Sequence, residues 1–209
     1  LSQTAHGVRS MSVQHVAYNT DTIIDRFLTR EALDRYYVEL MSANQAVNLV
    51  SRETSRVDFD RLCAESLLPL DHATGQLTNY LDVGSGGGIP AIPLLLSGRM
   101  KGESVLVERT QKKATALERI TSALSIACRV EAHTFEELSF RSRFDLITLR
   151  YVKLDRGLLR RIIPLLSADG HFVYYSAVDF DTDQTPRTTF SFHASDRDIL
   201  KHFTVFRTK

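Results

Sequence analysis

Two carboxylates, a glycine-rich turn and one arginine carry most of the chemical content of this sequence. The stretch Tyr80-Leu81-Asp82-Val83-Gly84-Ser85-Gly86-Gly87-Gly88-Ile89-Pro90 runs from an apolar segment into glycines and on into a helix-like pattern. A strand, glycine turn and helix in that order let the backbone approach a ligand lying across the strand ends. The spacing is Gly84-x-Gly86-x-Gly88, with Ile89 where the dinucleotide fingerprint would place its third glycine. Asp82 precedes the first glycine by two positions. A carboxylate there repels a pyrophosphate and attracts a cationic amino group. Glu108 closes the next apolar run, where it can accept hydrogen bonds from both hydroxyls of a ribose. The ligand that combines an ammonium, a sulfonium and a ribose without a phosphate is S-adenosylmethionine. Asp82 and Glu108 therefore favour a methyl-donor site over a nicotinamide site, and a nucleotide-dependent oxidoreductase is the disfavoured reading. A glycine turn that only packs a helix on a sheet leaves the two acids unexplained.

The elements that must position these groups are legible as periodicities. Over 22–70 the apolar residues recur at helical spacing: Ile23, Ile24, Phe27 and Leu28, then Leu33, Tyr36, Tyr37, Leu40 and Met41, then Phe59, Leu62, Cys63, Ser66, Leu67 and Leu70. This predicts a helical N-terminal extension over 21–76. Residues 1–20 are polar and are expected to be poorly ordered or a cloning remnant. From 77 to 209 short apolar runs alternate with helical stretches. Strands are predicted at 80–83, 104–108, 129–132, 144–149 and 171–175, and helices at 89–96, 111–125 and 154–166, the last ended by Asp169-Gly170. That alternation is the mark of a parallel sheet wrapped by helices on both faces, an α/β fold. Two further β-like runs, 188–193 and 203–207, are expected to form an antiparallel edge hairpin. Asp179, Asp181 and Asp183 read as a solvated acidic loop.

The composition excludes several classes. With 26 Lys+Arg, 25 Asp+Glu and 43% hydrophobic residues in 209, disorder and collagen-like repeats are ruled out. A net charge of +1 argues against a protein that coats nucleic acid through bulk charge. Cys63 and Cys128 are far apart, and His133, His171, His193 and His202 show no ligand spacing, so neither a metal site nor a disulfide framework is expected. The longest apolar run, 89–96, is too short for a bilayer and contains two prolines. Residues 1–20 lack the apolar core of a secretory signal. A reducing cytoplasm fits. Charge is nonetheless uneven: between Arg141 and Arg161 six arginines and one lysine face two aspartates, a net of +5. Arg109, Lys112 and Lys113 are expected at the same sheet edge, a patch suited to an RNA backbone.

Several motifs resemble the glucose-inhibited division protein B family, the bacterial small-subunit ribosomal RNA guanine-N7 methyltransferases. Asn44-Gln45-Ala46-Val47-Asn48-Leu49 resembles its N-x-x-x-N-L segment, and Glu65-Ser66-Leu67 its acid-Ser motif. The run from Leu81 to Leu94 follows its signature, including Pro90 and Pro93, and Phe144-Asp145-Leu146-Ile147-Thr148-Leu149-Arg150 is similar to its fourth strand. The likeness covers 33–175. It implies a Rossmann-like class I S-adenosylmethionine-dependent methyltransferase fold, S-adenosylmethionine as donor, and guanine N7 of 16S ribosomal RNA, alone or in the small subunit, as acceptor. By the same resemblance the donor's methionine end lies near Asp82, Gly84 and Gly86, with Ser85 and Gly88 in the same loop. Its ribose lies on Glu108 and its adenine near Thr134, Phe135 and Glu136. Arg150 falls on the active-site arginine, and Lys112 and Lys113 on a basic pair. RNA contacts are expected at Lys112, Lys113, Arg150, Tyr151 and Lys153, in a monomeric cytoplasmic enzyme. The chain departs from the family where Thr134 replaces an arginine, Ser176-Ala177 replaces Lys-Gly, and Leu149-Arg150-Tyr151 replaces Ser-Arg-Ala. A divergent paralogue that binds the donor or RNA with another substrate or little catalysis is the alternative these departures suggest.

The chemistry is consistent with that acceptor. Guanine N7 is a lone pair without a proton, so its methylation needs positioning and no general base. Arg150 is suited to hold the base or its phosphate through a planar fork of donors. Tyr151 either stacks on an extruded base or packs against the protein.

Overall fold

In the computed structural model, residues 13–73, 75–178 and 186–208 are described. The first helices are α1 (Thr20–Phe27), α2 (Arg30–Asn44) and α3 (Arg56–Leu67). Each starts on a side chain that takes up an orphan amide: Asn19 accepts from Thr22 N at 2.9 Å, Thr29 from Ala32 N at 3.2 Å and Ser55 from Asp58 N at 3.1 Å. Then follow β2 (Tyr80–Val83), α4 (Ala91–Leu96), β3 (Ser104–Val107), α5 (Gln111–Ala123) and β4 (Arg129–Glu131). The chain ends with β5 (Phe144–Leu149), α6 (Arg156–Ile162), β6 (Leu166–Tyr174), β7 (Arg187–Ala194) and β8 (Lys201–Arg207).

One strand lies where poor order was expected. Residues Val13–Tyr18 form β1, the outermost strand, pairing parallel with β7 from Val13 opposite Thr189 to Tyr18 opposite Ala194. The strand needs only backbone partners on β7 and one apolar face, and Tyr18 is buried. Residues 1–12 and the acidic loop of Asp179, Asp181 and Asp183 lie outside the described residues. The helix expected over 154–166 is shorter, because Pro164 stands in a 3-10 turn, Ile163–Leu165, that ends α6. Strand β6 therefore begins earlier than expected, and Gly170 lies within it. A Cβ at Gly170 would stand 2.8 Å from Phe144 O, across the register shift between β5 and β6.

The eight strands form one sheet in the order β1-β7-β8-β6-β5-β2-β3-β4. From β6 through β4 all neighbours are parallel, while β8 runs antiparallel to β6 and to β7. The expected hairpin is thus present, flanked by β1. Successive strand residues point to opposite faces. Tyr80, Leu106 and Leu146 enter a core with Ile24, Leu33, Tyr36, Leu40 and Phe59 of the first three helices. Leu81, Val105 and Ile147 enter a second core with Leu159 and Ile162 of α6. The N-terminal helices therefore cover one sheet face together with α4 and α5.

The order of strands reverses between β2 and β5: the chain leaves β2 toward β3 and β4, then crosses to β5 and continues to β6. At that switch point the loops after the two strands diverge and leave a crevice beyond their carboxyl ends. At the opposite end, Asp145 ties the sheet together. Its carboxylate accepts from Thr78 N at 2.8 Å, Asn79 N at 2.9 Å and Ser167 Oγ at 2.6 Å. Asp145→Ala is expected to cost about 1–3 kcal/mol by stranding these donors, read as a lowered urea midpoint.

Candidate functional site

A cavity of about 570 Å³ opens at the switch point. The glycine loop after β2 forms one wall, Glu108, Arg109, Thr110 and Lys113 another, His133 to Glu136 a third, and Arg150 to Lys153 a fourth. The loop is held by its own backbone: Gly84 N and Ser85 N both donate to Val107 O, at 2.8 and 2.9 Å. Gly84 has φ +77°, and a Cβ there would meet Val152 Cγ2 at 2.5 Å, so both conformation and space require glycine. From the helical layer, Tyr36 Oη donates to Gly87 O at 2.9 Å.

Glu108 bridges two walls. One carboxylate oxygen accepts from Gly86 N at 3.0 Å and the other from Thr110 N at 2.8 Å. Each oxygen keeps acceptor capacity. Asp82 lies under the loop, 1% exposed and outside the cavity wall itself. Its Oδ1 accepts from Thr148 Oγ1, whose hydroxyl is shared with Tyr80 Oη at 2.7 Å. Its Oδ2 has no hydrogen-bond partner among the described residues. Burial raises the Asp82 carboxyl to about 6, against the hydrogen bond from Thr148, which lowers it. A buried carboxylate with one free oxygen beside the glycine loop is suited to receive a cationic group.

Arg150, at the end of β5, is 5% exposed and forms the floor between the cavity and α3. Its Nη2 donates to Glu65 Oε2 at 2.7 Å, and its Nη1 to Ser66 Oγ at 3.2 Å and Leu62 O at 3.3 Å. The guanidinium carbon lies 5.1 Å from the Tyr151 ring centre and 5.2 Å from that of Tyr175. Glu65 also accepts from Lys201 Nζ at 2.5 Å and Tyr18 Oη at 3.5 Å.

The cavity brings together most of the residues singled out in the sequence. Gly84, Ser85, Gly86, Glu108, Thr134, Phe135, Glu136, Lys113, Arg150, Tyr151 and Lys153 all line it. Thr134 closes a capping box with Glu137 at the start of the turn that carries Phe135 and Glu136. Gly88 stands behind the wall, where a Cβ would meet Ile92 Cδ1 at 2.4 Å, so it serves helix packing. Lys112 is exposed outside the wall. The basic stretch is divided: Arg141 borders a separate hollow with Glu103 and Arg129 near the strand starts, away from Arg150. Sequence reasoning misses Thr148, Glu65 and Ser66 as site residues. Glu65-Ser66 stood out only as a motif, and nothing local links it to Arg150 across 85 positions.

The family of rRNA small subunit methyltransferase G matches residues 29–203. The chain belongs to this family. A family protein named ribosomal RNA small subunit methyltransferase G from Magnetococcus marinus is 31% identical over 129 residues, 61% of this chain and 58% of that protein. One of the same name from Chromobacterium violaceum is 34% identical over 163 residues, 71% of this chain and 70% of that one. The match to the Magnetococcus relative thus spans little more than half of its length. Among solved structures, the O-methyltransferase from Bacillus cereus in complex with SAH superposes with a TM-score of 0.62 at 15% identity, covering 91% of this chain and 96% of that one. The fold is the Rossmann-like class I methyltransferase fold.

The Glu65–Arg150 pair is buried on both sides, with side chains 2% and 5% exposed. Glu65→Ala leaves the guanidinium uncompensated and is expected to lower unfolding free energy by about 3–5 kcal/mol, measured by urea denaturation.

Proposed function

We propose that this chain is an S-adenosylmethionine-dependent methyltransferase acting on guanine N7 of small-subunit ribosomal RNA. The observation that carries the reading is the pairing of Asp82, a buried carboxylate with an orphan oxygen, with Glu108 across one glycine loop over a cavity at the switch point. The residues fit the donor. Asp82 Oδ2 suits its ammonium, the loop amides admit its methionine end, Glu108 suits the ribose hydroxyls, and Thr134, Phe135 and Glu136 border the space for its adenine. When bound, the donor supplies an electrophilic methyl group. The protein's part is positioning. No general base is required for a proton-free N7, and Arg150, held by Glu65 and Ser66, presents a fixed cation at the cavity floor. Arg109, Lys113 and Lys153 at the mouth suit RNA phosphates. The reading includes the ribosomal RNA or small subunit as partner, a cytoplasmic location and a monomeric enzyme.

Incubating labelled donor with undermethylated small subunits, deproteinised RNA and protein tests the reading; label appearing in 7-methylguanosine is expected. Label in no RNA, with donor still binding, would favour a binding paralogue, as the departures at Thr134 and Ser176 suggest.

The titration of Asp82 has a defined sign. An ammonium ligand requires the carboxylate, so donor affinity is expected to fall about tenfold per pH unit below about 6. Asp82→Asn is expected to bind weakly with that pH dependence lost, as read by calorimetry. Stability of the free protein runs the other way. A folded-state pKa above the unfolded one makes Asp82 an increasing cost as pH rises from about 4 to about 6.

A further inference from the structure

Beside the proposed donor cavity lies a second one of about 580 Å³, walled by the loop between α2 and α3. The two share Leu49, Val50, Leu62 and Tyr151. The loop is built rather than loose: Asn44 Oδ1 accepts from Leu49 N at 2.8 Å and Val50 N at 3.1 Å, which fixes its turn. Its apolar side faces are completed by neutral polar groups from Asn48, Ser51 and Thr54 and by one cation, Arg52. Arg52 Nε donates to Asn48 Oδ1 at 3.4 Å, and its two Nη groups have no protein partner among the described residues.

Tyr151 stands on the boundary between the cavities and is anomalous in two respects. It is 80% exposed, so packing is not what it does. It also holds φ +59°, a left-handed conformation that a bulky non-glycine residue adopts only at a cost, and it lies immediately before Val152, which closes over Gly84. The ring is approached by the buried, ion-paired guanidinium of Arg150. A strained, exposed aromatic ring over a fixed cation, next to a pocket with apolar walls and neutral edge donors and acceptors, matches a flat heteroaromatic ligand: stacking on one face and hydrogen bonds at the rim.

We propose that this second cavity receives one unstacked base of the acceptor RNA, with Tyr151 as its stacking platform and Asn48, Ser51 and Arg52 as the groups that read its edge. The inference rests on the methyl-transfer reading of the adjoining cavity, and it assigns Tyr151 a specificity role where the resembling family carries alanine.

Since the chain contains no tryptophan, Tyr151→Trp introduces a single reporter at the platform. Its emission is expected to be quenched by a short single-stranded oligoribonucleotide containing one guanosine and not by the same oligonucleotide with an abasic site there. Unchanged emission with the guanosine strand, whether or not that strand binds, overturns the proposal. In steady-state assays with small subunits, Tyr151→Ala is expected to lower kcat/KM roughly 5- to 150-fold, the worth of one base–aromatic stack, and to change donor Kd by far less. Tyr151→Phe, which keeps the ring, is expected to restore most of it. An equal loss of donor affinity in Tyr151→Ala, or wild-type kcat/KM, also overturns it. Failure of the donor to bind in calorimetry would sink the methyltransferase reading by itself, because the quenching measurement needs no donor.

Discussion

A buried carboxylate must be paired, and in this protein the requirement is met at Glu65 by groups from three separate elements. Arg150 arrives from the end of β5, Lys201 from β8, Tyr18 from β1, and Glu65 itself stands on α3. Next to it, Ser66 bonds Arg150 through its hydroxyl, and its carbonyl accepts from Tyr175 Oη at 2.7 Å. Taking ions out of water is costly, and only a full set of partners offsets that cost. The consequence is geometric. The helical layer is locked to the carboxyl ends of the central strands, so Leu62 and the loop before α3 become walls of the cavities. Without this tether Arg150 would be a long flexible cation at a strand end. With it, the guanidinium is a fixed feature of the floor.

Asp82 is the complementary case. It is as deeply buried as Glu65 but has only one oxygen satisfied, by Thr148, and its carboxyl is raised to about 6. One acid is fully satisfied by the fold and the other is left one partner short, at the place where the glycine loop brings backbone closest to the cavity. An unsatisfied buried acceptor costs stability, and here that cost falls beside the glycine loop. The glycine loop shows the same economy: positive φ at Gly84 and the contact with Val152 are tolerated where close approach matters.

Much of the architecture was legible because it rests on local rules. Alternating short apolar runs and helical periods identified β2 to β6 and the helices between them, and the glycines with Asp82 and Glu108 marked the site. The misreadings have local causes too. Val13–Tyr18 carries no strong strand pattern, since an edge strand is selected by the neighbour that pairs with it, here β7. Pro164 shortened a helix whose apolar spacing ran on past it. The basic stretch from Arg141 to Arg161 is contiguous in sequence, yet β5 separates Arg141, near the strand starts, from Arg150 at its carboxyl end, and a count of charge along the chain cannot show that.

The sequence by itself determined the glycine loop, the acids on either side of it and the fold class, because strand–turn–helix geometry ties those positions together within about thirty residues. Only the tertiary structure decided that Glu65 and Ser66 hold Arg150, that Thr148 satisfies half of Asp82, and that Tyr151 stands exposed between two cavities. The physical reason is separation. These contacts join residues 66 to 85 positions apart, and their existence depends on which strand ends and helix faces the packed sheet brings together.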